Sequence, residues 1–395
     1  MLTYSFYESD TRILQYCSAL KARGDSVDVI ALRRYGTAPF EVLDGVRVYR
    51  IQARTVDEKS RIRYLYRIVR FMAAATLFLS RRHLARRYDV IHVHSVPDFL
   101  VFAAAVPRLL GARVILDIHD ILPEFYASKF HLTTSSLSFR LLLLCERVSA
   151  ALADHVIVAN ELWRDRLLTR STHLAKCTAI RNYPDPRIFY PRPRHPRGGR
   201  FLILYPGSLN HHQGVDIAIR AFARIAHLIP EAEFHIYGEG PDLPAIISLR
   251  DSLGLAGRVH IRGLLAVDQI AQCMAAADLA IVPKRASTAF GNEAASTKIP
   301  EFMALGVPVV VSRTRIDSLY YDDSTVHFVE PENEIDLANA ILFLRNSPAY
   351  REQLTLNASR YLLQHNWMRR KTDYLNLIDS LVPLPLKKDA REIHV

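Results

Sequence analysis

Between Phe290 and Pro308 the chain carries two carboxylates and an ammonium at a spacing that could grip a phosphorylated ligand. Glu293 and Glu301 are separated by seven residues, Lys298 lies between them, and Gly306 and Pro308 close the segment as a helix stop followed by a strand. Pro300 limits where the helix begins. With Thr297 as N-cap, Pro300 is the third helical residue, where its missing N–H has no intrahelical partner to lose. A short helix placed this way exposes its first amides and Lys298 to whatever lies beyond it, which suits an anion and above all a diphosphate. Two glutamates eight apart also occur on ordinary amphipathic helices, so the segment needs the rest of the chain to give it meaning.

The elements that position these residues alternate in type. Strand patterns at Leu2–Phe6, Val27–Ala31, Asp89–His94, Arg113–Ile118 and His155–Ala159 are separated by helical periodicity, and the pattern restarts at Phe201–Tyr205, Ala232–Tyr237, Val259–Ile261, Leu279–Val282 and Val307–Val311. This predicts two α/β domains, each a doubly wound parallel sheet covered on both faces. Five prolines between Tyr183 and Gly199 (Pro184, Pro186, Pro191, Pro193 and Pro196) read as an extended connector. The expected domains are residues 1–185, a Pro/Arg-rich linker over 186–200, residues 201–365, and a C-terminal helix and tail over 366–395. Pro383 and Pro385 open the tail, which is expected to be mobile. Open parallel sheets bind ligands beyond the carboxyl ends of their strands, so the chemistry is expected in a cleft between the two domains.

Composition narrows the function. At 395 residues with half of them apolar, the chain has ample core and is no disordered protein. Its four cysteines have neither metal-ligand nor C-x-x-C spacing, which disfavours a disulfide scaffold or a cysteine zinc site. No apolar run reaches the roughly 18 residues of a spanning helix, and the first residues lack a signal-peptide layout, so the expected compartment is the cytoplasm. Charge is uneven: residues 1–200 hold 32 Lys/Arg against 18 Asp/Glu, a balance of +14, and the remainder holds 19 against 22, a balance of −3. The two halves therefore face different partners.

A Glu-x7-Glu before a helix ending in Ala-Leu-Gly-Val-Pro resembles the signature of retaining nucleotide-sugar glycosyltransferases of family 4, which have the GT-B fold. Further segments carry the resemblance in order: Arg23-Gly24, Asp89-Val-Ile-His-Val-His94, Asp117-Ile-His-Asp120, Asn182-Tyr-Pro-Asp185, Gly207 to Gly214, Tyr237-Gly-Glu-Gly-Pro241 and Val259-His-Ile-Arg-Gly263. It implies two Rossmann-like domains facing across a cleft, the first for the acceptor and the second for the donor, with the C-terminal helix returning to the first. By matching position, Glu301 is implied to hold the ribose hydroxyls and Glu293 those of the donor sugar, since a carboxylate accepts two hydroxyls at once. Donor contacts are also implied for Gly207, Ser208, Gln213, Gly238, Gly240, Arg262, Gly263, Lys284, Phe290, Gly291 and Asn292. His119 matches the active-site histidine near the transferred sugar and, with Glu293 and Lys298, makes up the implied catalytic set. Acceptor contacts are expected at Asp10, Thr11, Arg12, His94 and Asp120.

Two departures stand out. Many members carry an Arg and a Lys in the first donor loop, where this chain has Ser208 and Gln213. Each lost charge-assisted bond is worth roughly 1.5–3 kcal/mol, so a replacement is expected from Lys298, Lys284 or Arg285. The short first strand, followed by Ser9-Asp10-Thr11-Arg12 in place of glycines, points to a start upstream of Met1. No Asp-x-Asp triplet exists, which disfavours a metal-dependent GT-A transferase. No metal and no cofactor are expected, the nucleotide sugar being a co-substrate. Arg61, Arg63, Arg67, Arg70, Arg81, Arg82, Arg86 and Arg87 surround the apolar stretch Phe71–Leu79, too short to span a bilayer but suited to lie on an anionic one.

The expected function is transfer of a sugar from a nucleoside diphosphate to a lipid-linked or polysaccharide-type acceptor, peripherally at the inner face of the cytoplasmic membrane, in envelope or exopolysaccharide synthesis. The alternatives are a transferase with a small soluble acceptor and a non-catalytic GT-B subunit that binds a partner. A dinucleotide oxidoreductase is disfavoured by the absence of Gly-x-Gly-x-x-Gly, and nucleic-acid binding by the absence of a recognised motif.

Overall fold

The computed structural model describes residues 1–54, 61–130, 133–193 and 198–382. The chain forms two compact units. One comprises residues 1–122, 140–181 and the final helix from Arg370; the other comprises 123–139 and 182–369.

The first unit holds an eight-stranded sheet: β1 (Leu2–Thr3), β2 (Asp28–Arg33), β3 (Phe40–Leu43), β4 (Val46–Ala53), β5 (Val90–His94), β6 (Arg113–Ile118), β7 (His155–Val158) and β8 (Cys177–Ala179). Its order is β3-β4-β2-β1-β5-β6-β7-β8, parallel throughout except for the β3–β4 pair. That pair is a hairpin absent from the sequence expectation. Asp44 and Gly45 both take positive φ, as a two-residue type I′ turn requires. Winding reverses between β1 and β5, so the chain leaving these two strands borders the crevice where ligands bind in such sheets. The helix Arg61–Ala85 buries Ile68, Phe71, Ala75 and Leu79, one stripe at helical spacing. One face of the stretch expected to lie on a membrane is therefore core, while Ala73 and Leu77 on its other side are exposed. The last helix, Trp367–Leu381, returns to this unit as expected: the hydroxyl of fully buried Tyr374 meets His92 Nδ1 at 3.1 Å, and Arg23 pairs with Asp379 at 2.6 Å.

The second unit is a six-stranded, wholly parallel sheet of β9 (Phe201–Pro206), β10 (Ala232–Tyr237), β11 (Val259–Arg262), β12 (Leu279–Val282), β13 (Val309–Ser312) and β14 (His327–Val329), in the order β11-β10-β9-β12-β13-β14. Alternate residues feed opposite cores. Ile203 and Tyr205 of β9 face one side and Leu204 the other, which is why these strands read as continuous apolar runs. The proline-rich connector is less extended than expected. Asp185 accepts from the amides of Ile188 and Phe189, and the turn seats Phe189 in the second unit's core. Pro196 and the tail from Pro383 lie outside the described residues.

Candidate active site

In the second unit the switch point lies between β9 and β12, and the functional residues come from the loops leaving them. The helix Lys298–Ala304 begins after Thr297 and closes with the Schellman pair Gly306 N–H to Met303 and Val307 N–H to Phe302, which accounts for the Ala-Leu-Gly-Val-Pro ending. Its first residue, Lys298, reaches back along the loop after β9. The ammonium donates to Gln213 Oε1 at 2.9 Å and lies 5.2 Å from the centre of the Tyr205 ring. The Tyr205 hydroxyl bonds Ser208 O and Gln213 Oε1, so the loop and the lysine form one connected group.

Only glycines permit this nesting. A Cβ on Gly207 would sit 2.2 Å from Lys298 Cε, and one on Gly238 would sit 1.8 Å from the Gly207 carbonyl oxygen. Gly240 and Gly291 pack equally closely on the carbonyls of Leu209 and Arg285. Four glycines expected as donor contacts thus first hold the loops together.

Burial lowers the Lys298 pKa to about 8 against the pull of Glu301, and raises that of Glu301, one turn along the same helix, to about 7 against the pull of Lys298. Burial, reinforced by Lys298, holds His212 neutral with a pKa lowered to about 4. Glu293 ends the helix Ala289–Glu293, which Thr288 caps through the Gly291 amide; the carboxylate is buried, 3.4 Å from Arg315. Asn292 Oδ1 accepts from the Arg315 amide, and Phe290 packs edge-on against Phe125 and His212. Ser208 is exposed, as are Arg262 and Gly263 at and just past the end of β11.

Two expected replacements for the missing Arg and Lys are committed elsewhere. Lys284 is buried, with its ammonium 2.7 Å from Asp317 and donating to Ala294 O at 2.7 Å. Arg285 is held by both oxygens of Asp216 and by His211 O. Lys284 is thus a packing cation here rather than a donor contact, because a buried lysine needs its countercharge.

In the first unit, strand alternation puts His92 and His94 on one face of β5, stacked with centroids 4.2 Å apart, and the β5–β6 register sets Asp117 beside His94. Asp117 Oδ2 lies within 3.4–3.5 Å of nitrogens of His92, His94 and His119, and Arg12 grips the same carboxylate through two bonds of 2.8 and 2.9 Å. Burial would raise the Asp117 pKa, but Arg12 and His119 outweigh it and hold the group well below the carboxylate range; burial depresses His92 and, more strongly, His94. His119 is about one-fifth exposed and meets His94 at 3.2 Å.

Three acceptor expectations are corrected here. Arg12 is buried in the Asp117 pair, His94 is fully buried behind His119, and Asp10 is the N-cap of the helix Thr11–Arg23, accepting from the Ile13 amide. Thr11 is exposed, and burial raises the half-buried Asp120 carboxyl. The sequence reading missed His92, Asp117 and Tyr374 as members of the site. The His-x-His alternation could have found the first, but only the fold places Tyr374 against it.

Residues 9–182 match the family described as glycosyl transferase 4-like domain, and residues 200–347 match glycosyl transferases group 1. The chain is 25% identical over 298 residues to alpha-D-kanosaminyltransferase of Streptomyces kanamyceticus, covering 71% of this chain and 75% of that protein. It is 24% identical over 382 residues to D-inositol 3-phosphate glycosyltransferase of Thermomonospora curvata, covering 90% and 86%. Among solved structures it resembles sucrose-phosphate synthase from Thermosynechococcus elongatus, with a TM-score of 0.76, 19% identity and coverage of 96% and 98%. It also resembles HepE of Anabaena in complex with UDP and glucose, with a TM-score of 0.71, 18% identity and the same coverage.

Proposed function

The chain belongs to the GT-B glycosyltransferases of the group 1 and family 4 type, and from that premise we propose a retaining, metal-independent transfer of a sugar from a nucleoside diphosphate to a hydroxyl of a lipid-linked or polysaccharide-type acceptor. The observation that carries the proposal is Lys298, a cation that reaches the switch-point loop of the second unit from the start of its helix, with Glu301 on the same helix and Glu293 just before it. As the anomeric C–O bond breaks, its electron pair goes to the diphosphate, and Lys298 offsets the charge that grows there. The incoming hydroxyl attacks on the same face and passes its proton to the leaving phosphate oxygen. Glu301 accepts the ribose hydroxyls, Glu293 those of the sugar, and His119 attends the transferred sugar. UDP is the first nucleotide to test, and UDP-sugars the first donors, because the similar Anabaena structure holds UDP. Calorimetry with UDP, GDP and ADP, followed by NMR of the product anomer, tests the reading; an inverted product overturns the retaining course.

The two glutamates should separate. Glu301→Gln is expected to weaken bare-nucleotide binding at least tenfold, whereas Glu293→Gln preserves it and depresses turnover. Affinity should also peak between pH 7 and 8, since Glu301 must be ionised, above about 7, and Lys298 charged, below about 8. Loss of the acidic limb in Glu301→Gln alone confirms the assignment. Equal loss of affinity in both variants refutes it. Chelation with EDTA should leave the initial rate within about twofold, and abolition with rescue by magnesium or manganese would end the metal-free proposal.

We place the acceptor at an anionic membrane. Among the described residues no helix is long and apolar enough to cross one, but Leu65, Tyr66, Val69, Leu77 and Leu84 are exposed on Arg61–Ala85 together with Arg63, Arg70 and Arg81. Arg82 is instead paired with Asp28, and the Arg61 side chain lies outside the described residues. On the helix Leu137–Leu152, Leu137, Leu141, Leu144 and Val148 form an exposed stripe beside Arg140 and Arg147. Arg63, Arg70 and Arg81 changed together to Gln should cost about 3 kcal/mol of binding to anionic vesicles. An unaltered bound fraction in co-sedimentation, or equal binding to neutral vesicles, defeats the membrane reading.

A further inference from the structure

The sequence shows no spaced metal motif, yet strand pairing assembles three ligands at the edge of the second sheet. Glu233 and His235 are two apart on β10 and so share a face, and His260 of the edge strand β11 is the register partner of His235. The opposite face of β10 carries Phe234 and Ile236 into the core, which fixes the strand and with it the orientation of the three side chains. Their ligand atoms all lie within 4.8 Å of one another.

The distances suit an ion better than a hydrogen-bonded trio. Both imidazoles turn Nε2 toward the same oxygen, Glu233 Oε2, but only His235 reaches it, at 3.0 Å; His260 stops at 3.7 Å, beyond hydrogen-bond range. Three N and O ligands each about 2.1 Å from a tetrahedral centre stand about 3.4 Å apart, midway between these two values. Arg200 holds the other oxygen, Oε1, at 3.2 Å, and so orients the carboxylate from behind as outer-shell partners of metal ligands do. The three side chains are partly exposed, leaving room for water at a fourth position.

We propose that Glu233, His235 and His260 form a binding site for a divalent transition metal of the zinc class, which fastens the edge strand β11 onto β10. The two imidazoles select such ions over magnesium or calcium, which prefer oxygen ligands alone. The site is structural and separate from the transfer chemistry; β11 leads into Arg262 and Gly263, so the ion would steady that end of the strand.

Cobalt chloride titrated into the untagged, chelator-treated full chain should give a visible ligand-field spectrum with one equivalent bound, displaced by zinc. His260→Ala and His235→Ala should each weaken zinc binding by at least about tenfold, and zinc should raise the melting temperature of the native chain but of neither variant. Glu233→Gln, which keeps the shape of the side chain, should behave like the histidine variants. Absence of a cobalt spectrum, or zinc binding that persists unchanged in both histidine variants, overturns the proposal. Neither result bears on the transferase reading, whose test is catalytic rate.

Discussion

Lys298→Ala is expected to lower kcat/KM by roughly 100-fold or more, the scale on which a single preorganised donor to developing charge acts. The expectation rests on where the other cations of these loops are held. The loop after β9 presents Ser208 and Gln213, which are uncharged, and among the described residues Lys284 is held by Asp317, Arg285 by Asp216, and Arg315 lies beside Glu293. Releasing Lys284 would leave a buried carboxylate unpaired, at a cost of about 3–5 kcal/mol, so it cannot swing over to compensate. The loss should fall on kcat more than on the KM for the nucleotide sugar, because Glu301 still holds the nucleoside and the extra charge of the diphosphate, which the bare nucleotide carries from the start, grows in the sugar donor only as the bond breaks. Gln213→Ala serves as a comparison. It removes the partner of the lysine but not the cation, and should cost far less. A change below fivefold in Lys298→Ala would show that the diphosphate is neutralised by another group, and Asp216→Asn, which frees Arg285, would then be the informative variant.

The fold was legible where one strand's own residues decide its environment. Runs such as Arg113–Ile118 and Leu279–Val282 are apolar on both faces because helices cover both, and they form strands over the predicted residues. The β3–β4 hairpin is equally legible, since its Asp44-Gly45 pair between Val42, Val46 and Val48 is a strong local turn signal. The helix at Lys298 was readable from Pro300 and Gly306. What could not be read is which polar groups the fold spends on one another. Arg12 looks available in the sequence, yet it lies under the histidines because β6 delivers Asp117 to it across 105 residues. Lys284 and Lys298 look equivalent until burial pairs one with Asp317 and aims the other at Gln213 on the switch-point loop. Charge in the helix Arg61–Ala85 is visible in the sequence, but only the folded unit shows which face of its apolar middle, Phe71, Ala75 and Leu79, is core.

The Arg12–Asp117 pair sets the second large effect. Asp117 is fully buried and Arg12 nearly so; the guanidinium makes two bonds to the carboxylate and a third, of 2.8 Å, to Ile180 O. Asp117→Asn leaves a buried cation without its countercharge and should destabilise the first unit by about 3–5 kcal/mol, read as a drop in its denaturant midpoint. Removing both charges in Arg12→Met/Asp117→Asn should recover much of that loss, since a buried ion pair is often no more stabilising than a well-packed neutral one. Activity should not recover, because Asp117 Oδ2 also sits beside His119, which both variants deprive of its anion. The pH dependence has a definite sign. Burial depresses His92 and His94 in the folded state, so their contribution is present above the unfolded histidine value near pH 6.5 and is lost as pH falls through the lower folded values. Asp117, also depressed when folded, contributes above the unfolded carboxylate value near 3.9, and that part is lost only in stronger acid. The native first unit should therefore begin to weaken below about pH 6.5 as its histidines take up protons on unfolding. Wild-type stability in Asp117→Asn, or recovery of transferase rate together with stability in the double variant, would show that His119 is positioned by something other than this carboxylate.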